Sequence, residues 1–487
     1  MANGWDQDIN LSMLTDFYEI TMSNAYFKQG MKDTVAVFDM FFRDIPERGG
    51  FAVMAGVEQL VEYLSGIHFR DQDIAYLEKL NHFDPAFLDY LRHFKFECDV
   101  WAVPEGMPIF PGEPIVKVKG PIIQAQMVET MILLTINHQS LIATKSSRIV
   151  RAAEGRKILE FGARRAQGSD ASILGARAAY IAGVAGTSCT VAGELFDIPV
   201  MGTMAHSWVQ AFNTEYEAFA AYARVFPDDC YLLVDTYNTL RCGVPNAIRV
   251  SREILEPMGK RLKGIRIDSG DLAYFSIRAR EMLDAAGLTD AEITVSSAVD
   301  EYLIRDLLHQ GAKIDAFGVG ERLITSRAEP VFSGVYKLAA VEHEGVSEPR
   351  MKLSDNPEKV TNPGEKSVYR LYNRKTGKVE ADLITLAHEV IDDRKPLEIF
   401  DPYHTWKRKT LTDFDALPLL QPLFKKGVSC YEKRSIEEIR TFCQKQLDTL
   451  WDSLLRFENP QEYYVDLSDE LWALKDDFLH GGSCGQE

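Results

Sequence analysis

The sequence predicts an α/β protein whose catalytic part is a parallel sheet, closed as a (β/α) barrel in preference to an open doubly wound sheet. Three observations carry this expectation. Six short apolar runs of buried-strand type follow one another between residues 157 and 318. Helical stretches separate them, which is the alternation that gives parallel strands joined by crossovers. Each run then ends in a glycine or a polar, titratable residue, as happens where an α/β protein puts its chemistry at the carboxyl ends of its strands. Fewer than eight clean strands are visible, so the doubly wound sheet stays open as the alternative.

Before that series, residues 11–30 carry Leu14, Phe17, Tyr18, Ile20 and Tyr26 at helical spacing, with Thr15 or Asp16 able to cap the first turn. Val35 to Phe42 reads as a strand, residues 43–51 as a charged loop and Val57 to Leu64 as a helix. Residues 71–95 read as two helices broken at Asp84-Pro85. From Cys98 to Gly120, prolines and glycines punctuate short β-branched runs, as in an antiparallel segment, and a long helix follows over 124–151. The six barrel strands are expected at 157–162, 198–202, 231–235, 264–268, 292–296 and 314–318. Further strands are expected at 335–341, 368–371 and 380–386, with a long loop over 354–366 and terminal helices at 436–457 and 467–479. The expected domains are an α+β N-terminal domain (1–140), a barrel bearing the active site (141–345), and return strands, a loop and C-terminal helices (346–487).

Composition narrows the function. A chain of 487 residues exceeds one compact core. Its 54 Lys+Arg against 72 Asp+Glu give a net charge of −18, which argues against nucleic acid as a partner. An anionic substrate therefore needs a local basic pocket. No apolar run is long enough to span a membrane, and no basic segment precedes an apolar one near Met1, so a membrane or secretory route is not expected. Seven dispersed cysteines without metal spacing read as reduced thiols of the cytoplasm.

The strand ends hold the chemistry. Arg164 and Arg165 follow Gly162 and suit a phosphate or carboxylate; the plainer alternative is a solvated pair. Thr203 and His206 end the second run, and Asp235 the third. In Arg266-Ile267-Asp268-Ser269-Gly270-Asp271, Arg266 and Asp268 alternate along one strand and share a face. Asp271 reads as a helix cap, which leaves Asp268 with no capping work. Ser296-Ser297-Ala298 ends the fifth run. Gly318-Val319-Gly320 ends the sixth, in a turn whose backbone amides suit a phosphate. Arginines, carboxylates, one histidine and glycine turns on one rim suit a sugar phosphate, with acids on hydroxyls or magnesium.

The segments Leu14-Thr15-Asp16-Phe17-Tyr18, Glu160-Phe161-Gly162-Ala163-Arg164-Arg165-Ala166-Gln167-Gly168, Gly202 to His206, Arg266 to Asp271 and Gly318 to Gly320 closely resemble the nicotinate phosphoribosyltransferases, in order from about residue 11 to about 370. The resemblance implies an irregular (β/α) barrel with an α+β N-terminal domain and a C-terminal helical extension. It further implies a homodimer with active sites shared between subunits. The implied reaction converts nicotinate and phosphoribosyl pyrophosphate to nicotinate mononucleotide and pyrophosphate, coupled to ATP through a phosphohistidine, with Mg2+. Carried over, His206 is the phosphorylated residue. Phe161 stacks on the pyridine ring, with Tyr18 of the partner subunit on its other face. Arg164, Arg165, Thr203 and Arg266 bind the phosphoribosyl group or the carboxylate. Asp235 and Asp268 serve the ribose hydroxyls or magnesium, Gly318 and Gly320 hold the 5′-phosphate, and Thr361 lies in a phosphoribosyl-side loop. Ser188 stands where nicotinamide-using relatives carry an aspartate. A serine donates to a carboxylate that an aspartate would repel, which favours the acid substrate. The rivals are transfer to nicotinamide or quinolinate on a similar barrel, and a non-catalytic nucleotide sensor.

Overall fold

The computed structural model describes residues 9–356, 359–402 and 404–480. It is a mixed α/β structure of two compact units. One runs up to Ser140 and resumes at Val331; the other is Leu141–Pro330.

The first unit rests on a seven-stranded antiparallel sheet. Its order is Val346–Pro349, Gly334–His343, Val35–Phe42, Val116–Pro121, Asp99–Ala102, Gln421–Lys425 and Val428–Ser429. Val35–Phe42 is an interior strand with both its faces covered: Val37, Phe38, Met40 and Phe42 are buried hydrophobics, and Asp39 on the same strand is held by Lys366 at 2.8 Å. A four-stranded sheet, ordered Phe414–Pro418, Lys366–Asn373, Val379–Leu386 and Val465–Leu467, packs Leu371, Ala381, Leu383, Ile399, Leu411 and Phe414 into its own core.

Two features of this unit differ from the sequence-based expectation. The first helix, Phe17–Lys28, turns Ile20, Ser23 and a fully buried Glu19 inward while Phe17 and Tyr18 stay exposed. The C-terminal part is not a helical extension. Helices Ile436–Leu447 and Asp469–His480 are present, but the strands Leu397–Phe400, Arg408–Leu411, Phe414–Pro418, Gln421–Lys425, Val428–Ser429 and Val465–Leu467 surround them. These strands are short and lie between prolines, glycines and charged turns, so their local pattern is weak. Leu397–Phe400 and Arg408–Leu411 pair with each other, whereas Phe414–Pro418, Gln421–Lys425 and Val465–Leu467 take partners outside a local window, as Gln421–Lys425 does with Asp99–Ala102.

The second unit holds a six-stranded parallel sheet in the order Gly186–Thr187, Lys157–Glu160, Ala316–Val319, Glu292–Ser297, Gly264–Ile267 and Tyr231–Leu233. The expected strand at 198–202 contracts to one parallel bridge, Val200 to Thr187. Pro199 has no N–H to donate, yet its carbonyl accepts from Thr187 N at 3.0 Å, and Thr187 O accepts from Met201 N at 2.8 Å. Gly186–Thr187, two residues long, takes the place in the sheet that the longer run was expected to fill. Among the described residues no ladder joins Tyr231–Leu233 to the 198–202 segment, so the sheet is ordered but not closed by backbone pairing. No described helix is long and apolar enough to cross a membrane.

Buried ion pairs occur in both units. In the first, Arg370 and Asp382 are fully buried and bidentate, at 2.8 and 2.6 Å. Burial, and then the neighbouring Asp382 carboxylate, push the Glu113 carboxyl well above the usual carboxylate range. In the second unit, Glu301 takes Lys145 Nζ at 2.8 Å and Arg148 Nε at 2.9 Å. Removing one partner of such a pair leaves an uncompensated charge in low dielectric. Asp382→Ala is accordingly expected to cost about 3–5 kcal/mol, read as a lowered melting temperature. Glu19 offers a test in pH. Burial lifts its carboxyl from 4.5 to about 7, against the pull of hydrogen bonds from Thr130 and Thr15. A raised acid favours folding while protonated, so wild-type stability falls as pH rises from about 4.5 to about 7. Glu19→Gln removes that slope in denaturant titrations run across the same range.

Candidate active site

The site lies at the carboxyl edge of the parallel sheet, and strand register builds it. Leu233 pairs with Arg266, Arg266 with Thr294, Thr294 with Ala316, Val319 with Glu160 and Glu160 with Thr187. The residues just beyond these rows, Asp235, Asp268, Ser296, Gly320 and Ser188, are thus carried to one edge.

Arg266 is the centre. Its Nε donates to Ser296 Oγ at 2.7 Å, its Nη1 to Thr203 Oγ1 at 3.2 Å and its Nη2 to Asp268 Oδ1 at 3.1 Å. The guanidinium carbon lies 5.4 Å from the centroid of the Phe161 ring. Three of the five N–H groups are used, so each terminal nitrogen keeps one, the fork that suits a carboxylate or phosphate. Ser296 Oγ also donates to Asp268 Oδ1. Burial works against the Asp268 carboxylate, but Ser296 first and Arg266 next hold it below the usual carboxylate range. Asp268 Oδ2 faces His206 Nε2 at 3.9 Å, and His206 Nδ1 lies 3.0 Å from Thr236 Oγ1. Asp235 Oδ2 accepts from Asp268 N at 3.0 Å and Ser269 Oγ at 2.6 Å, while its Oδ1 is sealed from solvent without a donor.

Phe161 is seated by two glycines. A Cβ on Gly318 would meet its ring at 2.5 Å, and one on Gly320 would come to 3.1 Å from its carbonyl oxygen. The turn that carries Phe161 is clamped by Glu160, fully buried, which accepts from Gly162 N and from Thr187 Oγ1 at 2.6 Å. Burial raises the Glu160 carboxyl, and the Thr187 and Gly162 donors offset part of that rise. Ser188 follows that strand, its N–H bound to Glu160 O at 2.8 Å. Arg164 and Arg165 sit on the short helical turn Ala163–Arg165, exposed and without an ion pair among the described residues. Asp271 is the cap of helix Leu272–Ala285, accepting from Tyr274 N at 3.0 Å, as expected.

The structure therefore brings together Phe161, Thr203, His206, Asp235, Arg266, Asp268 and Gly318, with Gly320 and Ser188 at neighbouring strand ends. Tyr18 and Thr361 belong to the other unit. The Tyr18 phenol there is bonded to Glu129 and raised by burial and that carboxylate. Thr361 is buried, accepts from Lys352 N at 3.1 Å and lines a cavity of about 900 Å³ with Arg43, Lys366 and Lys475. Ser296, Thr236 and Glu160 are functional neighbours that the sequence reading did not assign. Each stands at a strand end already marked, but only spatial pairing shows what its side chain holds.

Parallel strands that converge arginine, acids, a histidine and glycine turns are the arrangement of an α/β enzyme whose site suits an anionic, hydroxyl-bearing group. The comparisons narrow this. The nicotinate phosphoribosyltransferase family model matches residues 156–376, its N-terminal domain model residues 13–137 and its C-terminal domain model residues 365–475. The nicotinate phosphoribosyltransferase of Bacillus subtilis is 45% identical over 476 residues, covering 97% of this chain and 96% of its own. That of Homo sapiens is 32% identical over 529 residues, with 97% of each chain covered. The crystal structure of human nicotinic acid phosphoribosyltransferase superposes with a TM-score of 0.84 at 31% identity, covering 96% of this chain and 100% of that one. The chain belongs to the nicotinate phosphoribosyltransferase family.

Because the Phe161 ring occupies the space where a Cβ on Gly318 would stand, Gly318→Ala overpacks the site. A loss of about 1–3 kcal/mol is expected, measured by denaturant unfolding.

Proposed function

We propose that the protein forms nicotinate mononucleotide and pyrophosphate from nicotinate and phosphoribosyl pyrophosphate, with ATP hydrolysis through phosphorylated His206, in NAD salvage. The observation that carries this reading is the Arg266 cluster: a guanidinium fixed on four sides, with two N–H groups left for an anion and an ionised acid beside it. The names of the relatives supply the substrates. On this reading the missing closure of the sheet is completed as an irregular (β/α) barrel through side chains of the 203–206 and 235–236 segments, where His206 meets Thr236.

Phe161 stacks on the pyridine ring, and Ser188 donates to the nicotinate carboxylate. Arg266, with Arg164 and Arg165 from the neighbouring turn, binds the phosphoribosyl group or the carboxylate. Gly318, Gly320 and Thr361 serve its phosphates. The Asp268 carboxylate stands by the ribose as positive charge develops at the anomeric carbon, where electrostatic positioning lowers the barrier to loss of pyrophosphate. Asp235 and Asp268 would hold magnesium, a fit supported by the orphaned Asp235 Oδ1 and by hard oxygen donors. No group of three His, Cys, Asp or Glu able to hold a metal occurs among the described residues, so substrate phosphates and water would complete the shell. When bound, the ion would offset phosphate charge.

Shared sites in a homodimer are supported by apolar side chains left exposed in each unit: Leu14, Phe17 and Tyr18 in one, Val191, Leu195 and Val200 in the other. Cytoplasmic residence is supported by six free cysteines among the described residues; Cys484 lies outside them.

Purified protein given nicotinate, phosphoribosyl pyrophosphate and ATP is expected to yield nicotinate mononucleotide, with nicotinamide and quinolinate turned over at least about a hundredfold less well, a discrimination of about 2.7 kcal/mol in transition-state binding. With γ-labelled ATP it is expected to take up acid-labile, base-stable phosphate that His206→Ala abolishes. Equal use of all three pyridines, or label that survives His206→Ala, contradicts the reading.

A further inference from the structure

We propose that Ser296 is a positioning residue of this site, its hydroxyl interposed between Arg266 and Asp268 so that both present their remaining polar atoms to substrate. The inference rests on the proposed reaction for its kinetic consequences, but its geometry stands alone.

A hydroxyl has one hydrogen to give and lone pairs to receive. Ser296 spends its hydrogen on Asp268 Oδ1 and receives Arg266 Nε–H at 2.7 Å. Asp268 Oδ1 takes a second donor, Arg266 Nη2, at 3.1 Å. The three side chains therefore form a closed ring in which no partner rotates without breaking two bonds. Two consequences follow. The guanidinium plane is set at its Nε end, so its free N–H groups point one way. Asp268 Oδ1 is saturated, which leaves Oδ2, the atom facing His206, as the oxygen available for ligand.

The backbone leaves little room for another side chain here. Ser296 is 4% exposed and pairs with Gly318, whose added Cβ would lie 3.2 Å from the Ser296 Cβ. A small residue with a hydroxyl meets both demands.

The test compares wild type, Ser296→Ala and Ser296→Cys. Initial rates are taken with phosphoribosyl pyrophosphate varied at saturating nicotinate, beside melting temperature as a check on folding. Ser296→Ala is expected to lower kcat/KM for phosphoribosyl pyrophosphate by about tenfold or more, the loss typical of a hydrogen bond to a charged group. Ser296→Cys, which keeps the size and a weaker donor, recovers part of the rate. Wild-type kcat/KM in Ser296→Ala overturns the proposal. The Arg266 Nε–H, which Ser296 Oγ receives, can also be followed by NMR on selectively labelled protein, which needs no turnover. Faster solvent exchange of that proton in Ser296→Ala supports the proposal, and unchanged exchange refutes it, even if the wild type proves inactive on nicotinate and the proposed reaction itself fails.

Discussion

The structure depends on how one guanidinium is held. Arg266 projects from the end of a parallel strand into a partly open site, where a long cationic side chain would ordinarily sample many rotamers at an entropic cost to any ligand it bound. Here a ring face, two hydroxyls and a carboxylate remove that freedom before substrate arrives. Each comes from a different segment: Phe161, Thr203, Asp268 and Ser296. The position of Arg266 is therefore a property of the whole sheet.

That dependence explains why so much buried polarity surrounds the site. Glu160 lies inside the sheet edge to hold the turn beneath Phe161, and is satisfied by a hydroxyl and an amide from two chain segments. An unsatisfied carboxylate there would cost more than the turn is worth. The same rule governs the first unit, where Asp39 answers Lys366 and Asp382 answers Arg370. In both units buried charge occurs where distant segments must meet in one register, and low dielectric makes a mismatch costly.

Strand-end chemistry was legible in the sequence because parallel strands expose their carboxyl termini on one edge, whatever the sheet's detailed order. The Arg266–Asp268 alternation, the Asp271 cap and the seat of His206 at the start of helix His206–Gln210 all follow from local geometry. Less legible was which apolar run becomes a strand. Ile198 to Gly202 has the stronger apolar pattern, yet Gly186–Thr187 pairs along Lys157–Glu160 and the longer run contributes a bridge. The C-terminal strands were missed for a related reason. Their stability is lent by partners outside a local window, hundreds of residues away for Gln421–Lys425 on Asp99–Ala102, and the window contains no trace of that loan.

What the amino-acid order determined by itself was the alternation of apolar runs with helices, the acidic surface that confines anion binding to a pocket, and the residues stationed at each strand end. Periodicity, charge and chain direction are local quantities, and each can be read along one line. What only tertiary structure decided was the partnership among those residues: Ser296 between Arg266 and Asp268, Thr236 against His206, Phe161 on Gly318. Hydrogen bonds and ring contacts form across registers set by strands far apart in sequence, and a linear pattern does not encode the distance between two of its points once the chain has folded.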